Sequence, residues 1–314
     1  MILTVTPNPT VDRDLFVRHF RLEGVLRAER EVVVPCGKGV SSALVIHELG
    51  GRTVALGLTA GHTGAYHRAL LDGLGVRHEF VEADGETRTV IVLVDLAAQQ
   101  QVSISAQTLR ASAAHLEQLL ALQARHARGA WGVLYGGTLP AGLPPDAYAH
   151  LIAEAHRLGL VTLLDASGEA LARGAGAQPD ILKVNRDELA ALEPETAPAG
   201  DSALLAARLR ECLGVWARQA IVVTLGDLGA LCVTAEVALL VRPPQVPVVN
   251  TAGAGDALGG GLMLARSRGA DWADALRLGT AAAASVVMNE GTAICQRQQV
   301  EALMEGVRVD VVAA

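Results

Sequence analysis

The sequence predicts an α/β protein in which a doubly wound, mostly parallel sheet carries helices on both faces. Six short apolar runs rich in β-branched residues alternate with longer segments whose apolar residues recur at helical spacing. Two further segments alternate apolar and polar residues with no helix between their halves, which indicates a separate small β-sheet. We therefore expect one domain over residues 1–314, with the small sheet as a lid.

The predicted strands are 2–6, 53–58, 131–136, 160–166, 181–185 and 220–226. The predicted helices are 40–50, 64–74, 108–127, 145–158, 201–213, 254–268 and 272–288. The predicted lid covers approximately 13–35 and 88–105, and PETAPAG at 194–200 is expected to be a surface loop. Because ligands bind beyond the carboxyl ends of parallel strands, functional residues are expected in the loops that follow the strands.

Composition excludes several classes of function. The net charge is −7 and no run is basic, so nucleic acid is not an expected partner. No uncharged stretch is long and apolar enough to cross a bilayer, and MILTVTPNP lacks the basic segment of an export signal, so we expect a cytoplasmic protein without a membrane partner. The four cysteines and nine histidines show no metal-ligand spacing.

The stretch NTAGAGD, 250–256, follows the apolar run VPVV and carries the strongest functional signal. It fits neither the P-loop nor the GxGxxG pattern. It predicts a glycine turn and a helix that begins near Ala254. The free amides of Gly253, Ala254 and Gly255, together with the positive end of the helix dipole, then form an anion site.

Asp256 falls in the first turn of the same predicted helix. A carboxylate there is commonly only a favourable helix-terminal charge. Here it converges with the amide donors on one loop, an arrangement that suits phosphoryl transfer. The amides would stabilise the moving phosphoryl group, and Asp256 would deprotonate the attacking hydroxyl.

The chain resembles the ribokinase-like (PfkB) carbohydrate kinases, in particular their 1-phosphofructokinase and tagatose-6-phosphate kinase branch. The matching stretches occur in the family's order along nearly the whole chain: TPNPTVDRD, CGKGVSSALVIHELGG, GETRT, GGTLPAGLP, LLDASGEAL, LKVNRDEL, VVTLGDLGAL and NTAGAGDALGGG. The resemblance implies the ribokinase-like fold and a kinase that uses ATP and Mg²⁺.

The resemblance also implies roles for single residues. Asp256 corresponds to the catalytic base, and Gly253, Ala254 and Gly255 to the anion hole. The remaining nucleotide-side assignments are Lys183 on the phosphates, Asn185 and Glu188 on magnesium through water, Thr224, Gly226 and Gly229 beneath the ribose and phosphates, and Asn289 and Thr292 at the adenine pocket. The acceptor-side assignments are Asp12 on sugar hydroxyls, Gly37 for close backbone approach, Lys38 and Arg88 near an acceptor phosphate, and Ser41 and Thr138 in the pocket.

Departures from the family pattern cluster on the acceptor side. Cys36 replaces the first glycine of GGKG, and Ser41 replaces the asparagine of GKGxN. Val90 and Val92 stand where the branch often has polar residues, and ISAQ at 104–107 replaces NEPG. Since each exchange removes a group that would orient the sugar, we expect them to alter acceptor choice more than catalysis.

The leading hypothesis is ATP-dependent phosphorylation of a small sugar phosphate. Fructose 1-phosphate, giving fructose 1,6-bisphosphate, is the first acceptor implied by the resemblance, and tagatose 6-phosphate is the second. A kinase for an unphosphorylated sugar or nucleoside and a non-catalytic sugar-phosphate sensor are the alternatives. The lid could also pair with a second subunit to form a homodimer.

Overall fold

The structure is a computed structural model that describes residues 1–98, 100–193 and 201–312. The predicted loop at 194–200 lies outside these ranges. The strands are β1 (Ile2–Thr6), β2 (Thr10–Val17), β3 (Arg30–Cys36), β4 (Thr53–Thr59), β5 (His78–Glu82), β6 (Asp84–Gly85), β7 (Arg88–Asp95), β8 (Gln100–Ser105), β9 (Leu109–Arg110), β10 (Gly132–Gly137), β11 (Val161–Ala166), β12 (Ile181–Asn185), β13 (Ala220–Thr224), β14 (Ala230–Thr234), β15 (Ala238–Arg242) and β16 (Arg308–Val311).

The helices are α1 (Lys38–Glu48), α2 (Gly61–Gly73), α3 (Ala113–Ala127), α4 (Ala147–Arg157), α5 (Gly168–Gly176), α6 (Arg186–Leu192), α7 (Ser202–Cys212), α8 (Ala254–Ser267), α9 (Trp272–Val287) and α10 (Arg297–Leu303). Within the described ranges, no helix has the length and apolar character needed to span a membrane.

The main sheet follows the order β16-β15-β14-β13-β12-β11-β10-β1-β4-β5. Its strands from β5 to β13 run parallel, and β14, β15 and β16 extend it in antiparallel fashion. The predicted fold class is confirmed. The antiparallel extension was not predicted. Strands β14, β15 and β16 are short, and no helix separates β14 from β15, so the alternation of strands and helices that guided the prediction is missing there.

Both faces of the main sheet are covered by helices because successive strand residues point to opposite sides. On β10, Val133 and Tyr135 pack in the core beneath α3, α4, α5 and α7. Leu134, between them, packs in the second core against α1, α8 and α9. The helix predicted from residue 108 begins at Ala113, since Leu109–Arg110 instead pairs with β6.

The strands of the predicted lid form a second sheet, the small sheet, in the order β3-β2-β7-β8. It begins at Thr10 and its β3 reaches Cys36, so it is slightly larger than the predicted segments. Phe16, Val92 and Val94 form its buried core. Because β2 follows β1 after only three residues, the small sheet lies next to the carboxyl ends of the main-sheet strands.

Candidate active site

Helix α8 begins at Ala254, as the sequence predicts, but only two of the three amides predicted to be free have no backbone partner among the described residues. Gly253 precedes the helix with a φ of 82°, a left-handed conformation that favours glycine. A Cβ atom on Gly253 would lie 2.5 Å from the amide nitrogen of Ala293, so only glycine fits. The Ala254 amide makes a long 3.4 Å bond to the Thr251 carbonyl, while no backbone partner of the Gly253 or Gly255 amide occurs among the described residues. Two donors therefore remain available to an anion.

Asp256 lies in the first turn of α8 and is partly buried. Burial raises the pKa of its carboxyl group to about 7, and the negative charge of Asp165 adds to the rise. The charges of Lys38 and Lys183 and a hydrogen bond from Ser41 act in the opposite direction. A carboxylate that titrates near neutral pH is well suited to take a proton from a hydroxyl group.

A buried carboxylate, Asp165, joins two lysines below Asp256. Lys38 Nζ donates to Asp165 Oδ1 at 2.6 Å, and Lys183 Nζ donates to Asp165 Oδ2 at 2.6 Å. Lys38 also donates to Glu188 Oε1 at 3.0 Å. Burial alone would raise the pKa of Asp165, but Lys183 and Lys38 together hold it below the ordinary value.

The sequence reasoning assigned no role to Asp165. The stretch LLDASGEAL could have pointed to it, because Asp165 stands at the carboxyl end of a predicted buried strand. Functional residues of a parallel sheet are expected at that end. The structure also pairs the Lys38 ammonium with Asp165 and Glu188, and Lys38 interacts electrostatically with Asp256 on α8. The sequence predicted Lys38 near an acceptor phosphate.

Asn185 and Glu188 form a capping box at the start of α6. The Glu188 amide donates to Asn185 Oδ1 at 2.8 Å, and the Asn185 amide donates to Glu188 Oε2 at 2.9 Å. Both carboxylate oxygens of Glu188 are thus already bonded, one of them to Lys38. Each of these oxygens keeps a second lone pair that can accept a hydrogen bond from a water molecule, so Glu188 fits a magnesium ion that keeps its water shell.

A cavity of about 370 Å³ lies beside the α8 terminus. Thr224, Gly226 and Gly229, which the sequence predicted for the nucleotide, line it together with Gly255 and apolar residues that include Leu258 and Val287. A Cβ atom on Gly229 would lie 1.8 Å from the Val241 carbonyl oxygen, so the turn at its floor requires glycine.

Asn289 and Thr292 are not among the described residues that line this cavity. Asn289 is bonded within its own region, to the Ser285 carbonyl and to Gln299. Thr292 Oγ1 donates to Asp12 Oδ2 at 3.0 Å, which places it on the acceptor side. The structure therefore brings neither residue to the cavity for which the sequence predicted both.

The acceptor side is assembled from the start of the small sheet and from distant loops. Asp12 is buried, and its Oδ1 atom has no hydrogen-bond partner among the described residues. Burial raises the pKa of Asp12, while the neighbouring side chains of Cys36, Thr292 and Thr10 and the charge of Arg88 oppose the rise. Asn8, another residue that sequence reasoning missed, donates to Thr138 Oγ1 at 3.1 Å.

Arg88, which the sequence predicted near an acceptor phosphate, is the first residue of β7. Its Nη1 donates to Ser105 Oγ at 3.1 Å and its Nη2 to the Asn8 carbonyl at 3.1 Å. Its buried Nε has no partner within the described ranges, and the same holds for Asn8 Oδ1 and Thr10 Oγ1. Either water or a ligand can satisfy such buried atoms, so they are available to a bound acceptor.

The two exchanged residues of CGKGVS meet each other. Cys36 Sγ lies 3.2 Å from Ser41 Oγ, and both residues are buried. Gly37, between β3 and α1, packs closely against Thr6. Cys36 interacts with Asp12, which the sequence predicted to bind the acceptor, and Ser41 interacts with Asp256, the predicted catalytic base. The exchanged pair therefore lies between these two carboxylates.

Comparison with known proteins shows the family to which the chain belongs. The pfkB family carbohydrate kinase model matches residues 8–299. The chain belongs to the pfkB family of carbohydrate kinases. It is 34% identical to the 1-phosphofructokinase of Rhodobacter capsulatus over 281 residues, which cover 89% of this chain and 88% of that protein.

The chain is also similar to a second kind of phosphofructokinase. It is 30% identical to the ATP-dependent 6-phosphofructokinase isozyme 2 of Escherichia coli over 96% of both chains. The crystal structure of Escherichia coli phosphofructokinase-2 in complex with substrates and products superimposes with a TM-score of 0.90, at 28% identity, over 97% of this chain and 98% of that one. The chain is therefore a sugar kinase, as the sequence resemblance implied.

Proposed function

We propose that the protein transfers the γ-phosphoryl group of ATP to a hydroxyl of a ketohexose monophosphate, with fructose 1-phosphate as acceptor and fructose 1,6-bisphosphate as product. The observation that carries the proposal is the convergence of two unpartnered amides and a carboxylate of raised pKa at the start of α8. Tagatose 6-phosphate is the second acceptor to be tested.

In the proposed reaction the acceptor hydroxyl attacks the γ-phosphorus in line, and its proton passes to the Asp256 carboxylate. The bond between the γ-phosphorus and the bridging oxygen breaks, and ADP leaves. The amides of Gly253 and Gly255 donate hydrogen bonds to the phosphoryl oxygens and stabilise their negative charge. Lys183 adds a nearby positive charge, since its Nζ lies 3.3 Å from where a Gly255 Cβ would be.

Nucleotide binding is assigned to the cavity lined by Thr224, Gly226 and Gly229. Asn185 and Glu188 would hold Mg²⁺ through water, and the ion would supply charge neutralisation at the phosphates. Asp165 keeps the two lysines in place, since each of its oxygens is bonded to one of them.

The choice of a phosphorylated acceptor rests on Arg88. Its two Nη atoms are bonded to the protein while Nε stays buried without a partner in the described chain. A phosphate group would accept a hydrogen bond from Nε and form an ion pair with the guanidinium group. A neutral sugar could only accept the hydrogen bond. An unphosphorylated acceptor is the alternative, because Cys36 replaces the first glycine of GGKG and Ser41 replaces the asparagine of GKGxN.

We also propose that two copies of the chain pair through the small sheet. On β8, Val102 is 45% exposed and Ile104 is 58% exposed, so this edge strand presents apolar side chains that a second copy of the chain could cover.

The test is a screen of ADP release with ATP, Mg²⁺ and a panel of acceptors: fructose 1-phosphate, fructose 6-phosphate, tagatose 6-phosphate, fructose and a nucleoside. We expect kcat/KM for one hexose phosphate to exceed that for its parent sugar by about 100-fold or more, the effect of one well-placed ion pair. Equal rates with parent and phosphorylated sugars would overturn the acceptor class. Ligand-induced thermal stabilisation without any ADP release would favour the sensor instead.

A further inference from the structure

Strand β2 of the small sheet carries two carboxylates on one buried face. Asp12 is the residue assigned to acceptor hydroxyls, and Asp14, two positions later, is fully buried. Asn250 Nδ2 donates to Asp14 Oδ2 at 2.9 Å, and Asn250 itself is only 1% exposed. A hydrogen bond between residues 236 positions apart thus joins the small sheet to the loop that begins NTAGAGD.

The second end of the Asn250 side chain determines the shape of that loop. Asn250 Oδ1 accepts a hydrogen bond from the Ala252 amide at 2.9 Å. The Asn250 side chain is therefore hydrogen-bonded both to Asp14 and to the backbone of the loop. Gly253, with its required left-handed backbone, follows directly and begins the anion hole. The position of the hole's amides therefore depends on where Asp14 holds Asn250.

Three further hydrogen bonds join the same elements. Thr292 donates to Asp12 at 3.0 Å, and the amide of the next residue, Ala293, donates to the Ala252 carbonyl at 3.2 Å. Gln101 Nε2 on β8 donates to Thr251 Oγ1 at 3.2 Å. The acceptor carboxylate and the anion-hole loop thus belong to one hydrogen-bonded unit across the cleft.

The Asp14 carboxylate is costly to bury. Its Oδ1 has no partner among the described residues, and burial together with the charge of Asp12 raises the pKa of Asp14 to about 7, although the bond from Asn250 opposes the rise. An apolar residue at this position would avoid that cost. A role that requires a side-chain oxygen to accept the Asn250 hydrogen bond explains why the position is polar.

We propose that Asp14 is a positioning residue for phosphoryl transfer, which acts through Asn250 to hold the 250–253 loop and couples the anion hole to the small sheet that binds the acceptor. This inference rests on the proposed function. It assigns Asp14 no contact with either substrate.

The test compares Asp14→Ala with the conservative variant Asp14→Asn, whose side-chain oxygen can still accept the bond from Asn250. We expect Asp14→Ala to lower kcat by about 10- to 100-fold, the effect of a small misplacement at a reacting centre, with KM for ATP changed less than about 3-fold. Asp14→Asn should keep kcat within about 5-fold of the parent enzyme, since it preserves the neutral form of the same contact.

A double-mutant cycle separates positioning from stability. Asn250→Ala should lower kcat as much as Asp14→Ala, and the double variant should be no worse than about 3-fold below either single variant, because both remove one interaction. Thermal unfolding identifies variants that do not fold. If Asp14→Ala fails to fold, the comparison of Asp14→Asn with Asn250→Ala decides alone.

The proposal is overturned if Asp14→Ala, folded at the assay temperature, retains kcat within 2-fold of the parent, or if Asp14→Asn falls as far as Asp14→Ala. Equal kcat in Asn250→Ala and the parent overturns it as well. These results require a parent enzyme that turns over, so they are distinct from a failure of the proposed function, in which the parent releases no ADP with any acceptor.

Discussion

The nucleotide side and the acceptor side of the cleft are built in different ways. On the nucleotide side, carboxylates and lysines are bonded to one another, as in the contacts of Asp165 with Lys38 and Lys183. On the acceptor side, several buried polar atoms have no partner within the described ranges: Asn8 Oδ1, Thr10 Oγ1, Asp12 Oδ1 and Arg88 Nε.

This difference indicates where the ligands contribute most. A charge network that is satisfied before substrates bind keeps its geometry, which suits a site that must place a phosphoryl group accurately. Unpartnered buried atoms make binding selective, because a ligand that fails to satisfy them leaves their desolvation uncompensated. We therefore expect nucleotide-side variants to change kcat and acceptor-side variants to change KM for the sugar phosphate.

The largest effect that distinguishes the two sides is expected from Gly253→Ala. The new Cβ would meet the Ala293 amide at 2.5 Å and would force the anion hole out of position. We expect kcat to fall by about 100-fold or more, as for loss of an oxyanion donor. Steady-state ADP release at saturating substrates measures it.

Gly269→Ala is the matched control for this variant. Gly269 follows the other end of α8 with a φ of 85°, and a Cβ there would meet open space. It should carry the same backbone strain, about 1 kcal/mol of unfolding free energy, and leave kcat unchanged. If both variants lose the same activity, strain rather than the anion hole explains the loss.

Arg88→Ala, on the acceptor side, should change KM for the sugar phosphate and not kcat. We expect KM for the sugar phosphate to rise by about 10- to 100-fold, the value of a charge-assisted bond, while KM for ATP stays within about 2-fold. Arg13→Ala, on the neighbouring strand, removes an exposed arginine paired with Glu31 and serves as the control. A rise in KM for ATP alone would move Arg88 to the nucleotide side.

The same contrast explains what the sequence could predict. NTAGAGD is a local pattern, so the turn, the helix start and Asp256 could all be placed from consecutive residues. The fold class followed from hydrophobic periodicity along the chain. These features depend on neighbours in sequence.

The remainder of the site depends on residues far apart in sequence. Asp165 meets Lys38 across 127 positions, and Thr292 meets Asp12 across 280. No spacing rule connects such pairs, which only the sheet order brings together. For the same reason the sequence placed Thr292 at the adenine pocket, and sequence reasoning missed Asn8.

The pH dependence tests the electrostatics of the nucleotide side. Asp256 accepts a proton only when it is ionised, and its pKa of about 7 is set by burial, Asp165, Lys38, Lys183 and Ser41. The kcat/KM value should therefore fall about 10-fold per pH unit below this pKa and level off above it. Ser41→Ala removes a hydrogen bond that stabilises the ionised Asp256 carboxylate, so it should raise the pKa of Asp256. The acidic limb of the variant's kcat/KM profile should therefore move to higher pH. A limb that moves to lower pH, or a profile that is flat from pH 5 to 8, would contradict this assignment.

The smallest effect is expected from restoring the family pattern with Cys36→Gly and Ser41→Asn together. This pair lies between Asp12 and Asp256, so its exchange should change the ratio of kcat/KM between fructose 1-phosphate and tagatose 6-phosphate by about 3- to 10-fold. KM for ATP is the internal control and should not change. An unaltered ratio would show that the exchanged pair does not determine the acceptor.

The most direct test of the account is the turnover of Asp256→Asn, measured at saturating ATP and acceptor together with its affinity for ATP. The variant keeps the shape of the α8 terminus and loses only the proton acceptor, so kcat should fall by about 100-fold or more while ATP binds as tightly as before. Turnover within about 3-fold of the parent enzyme would contradict the claim that this carboxylate takes the hydroxyl proton.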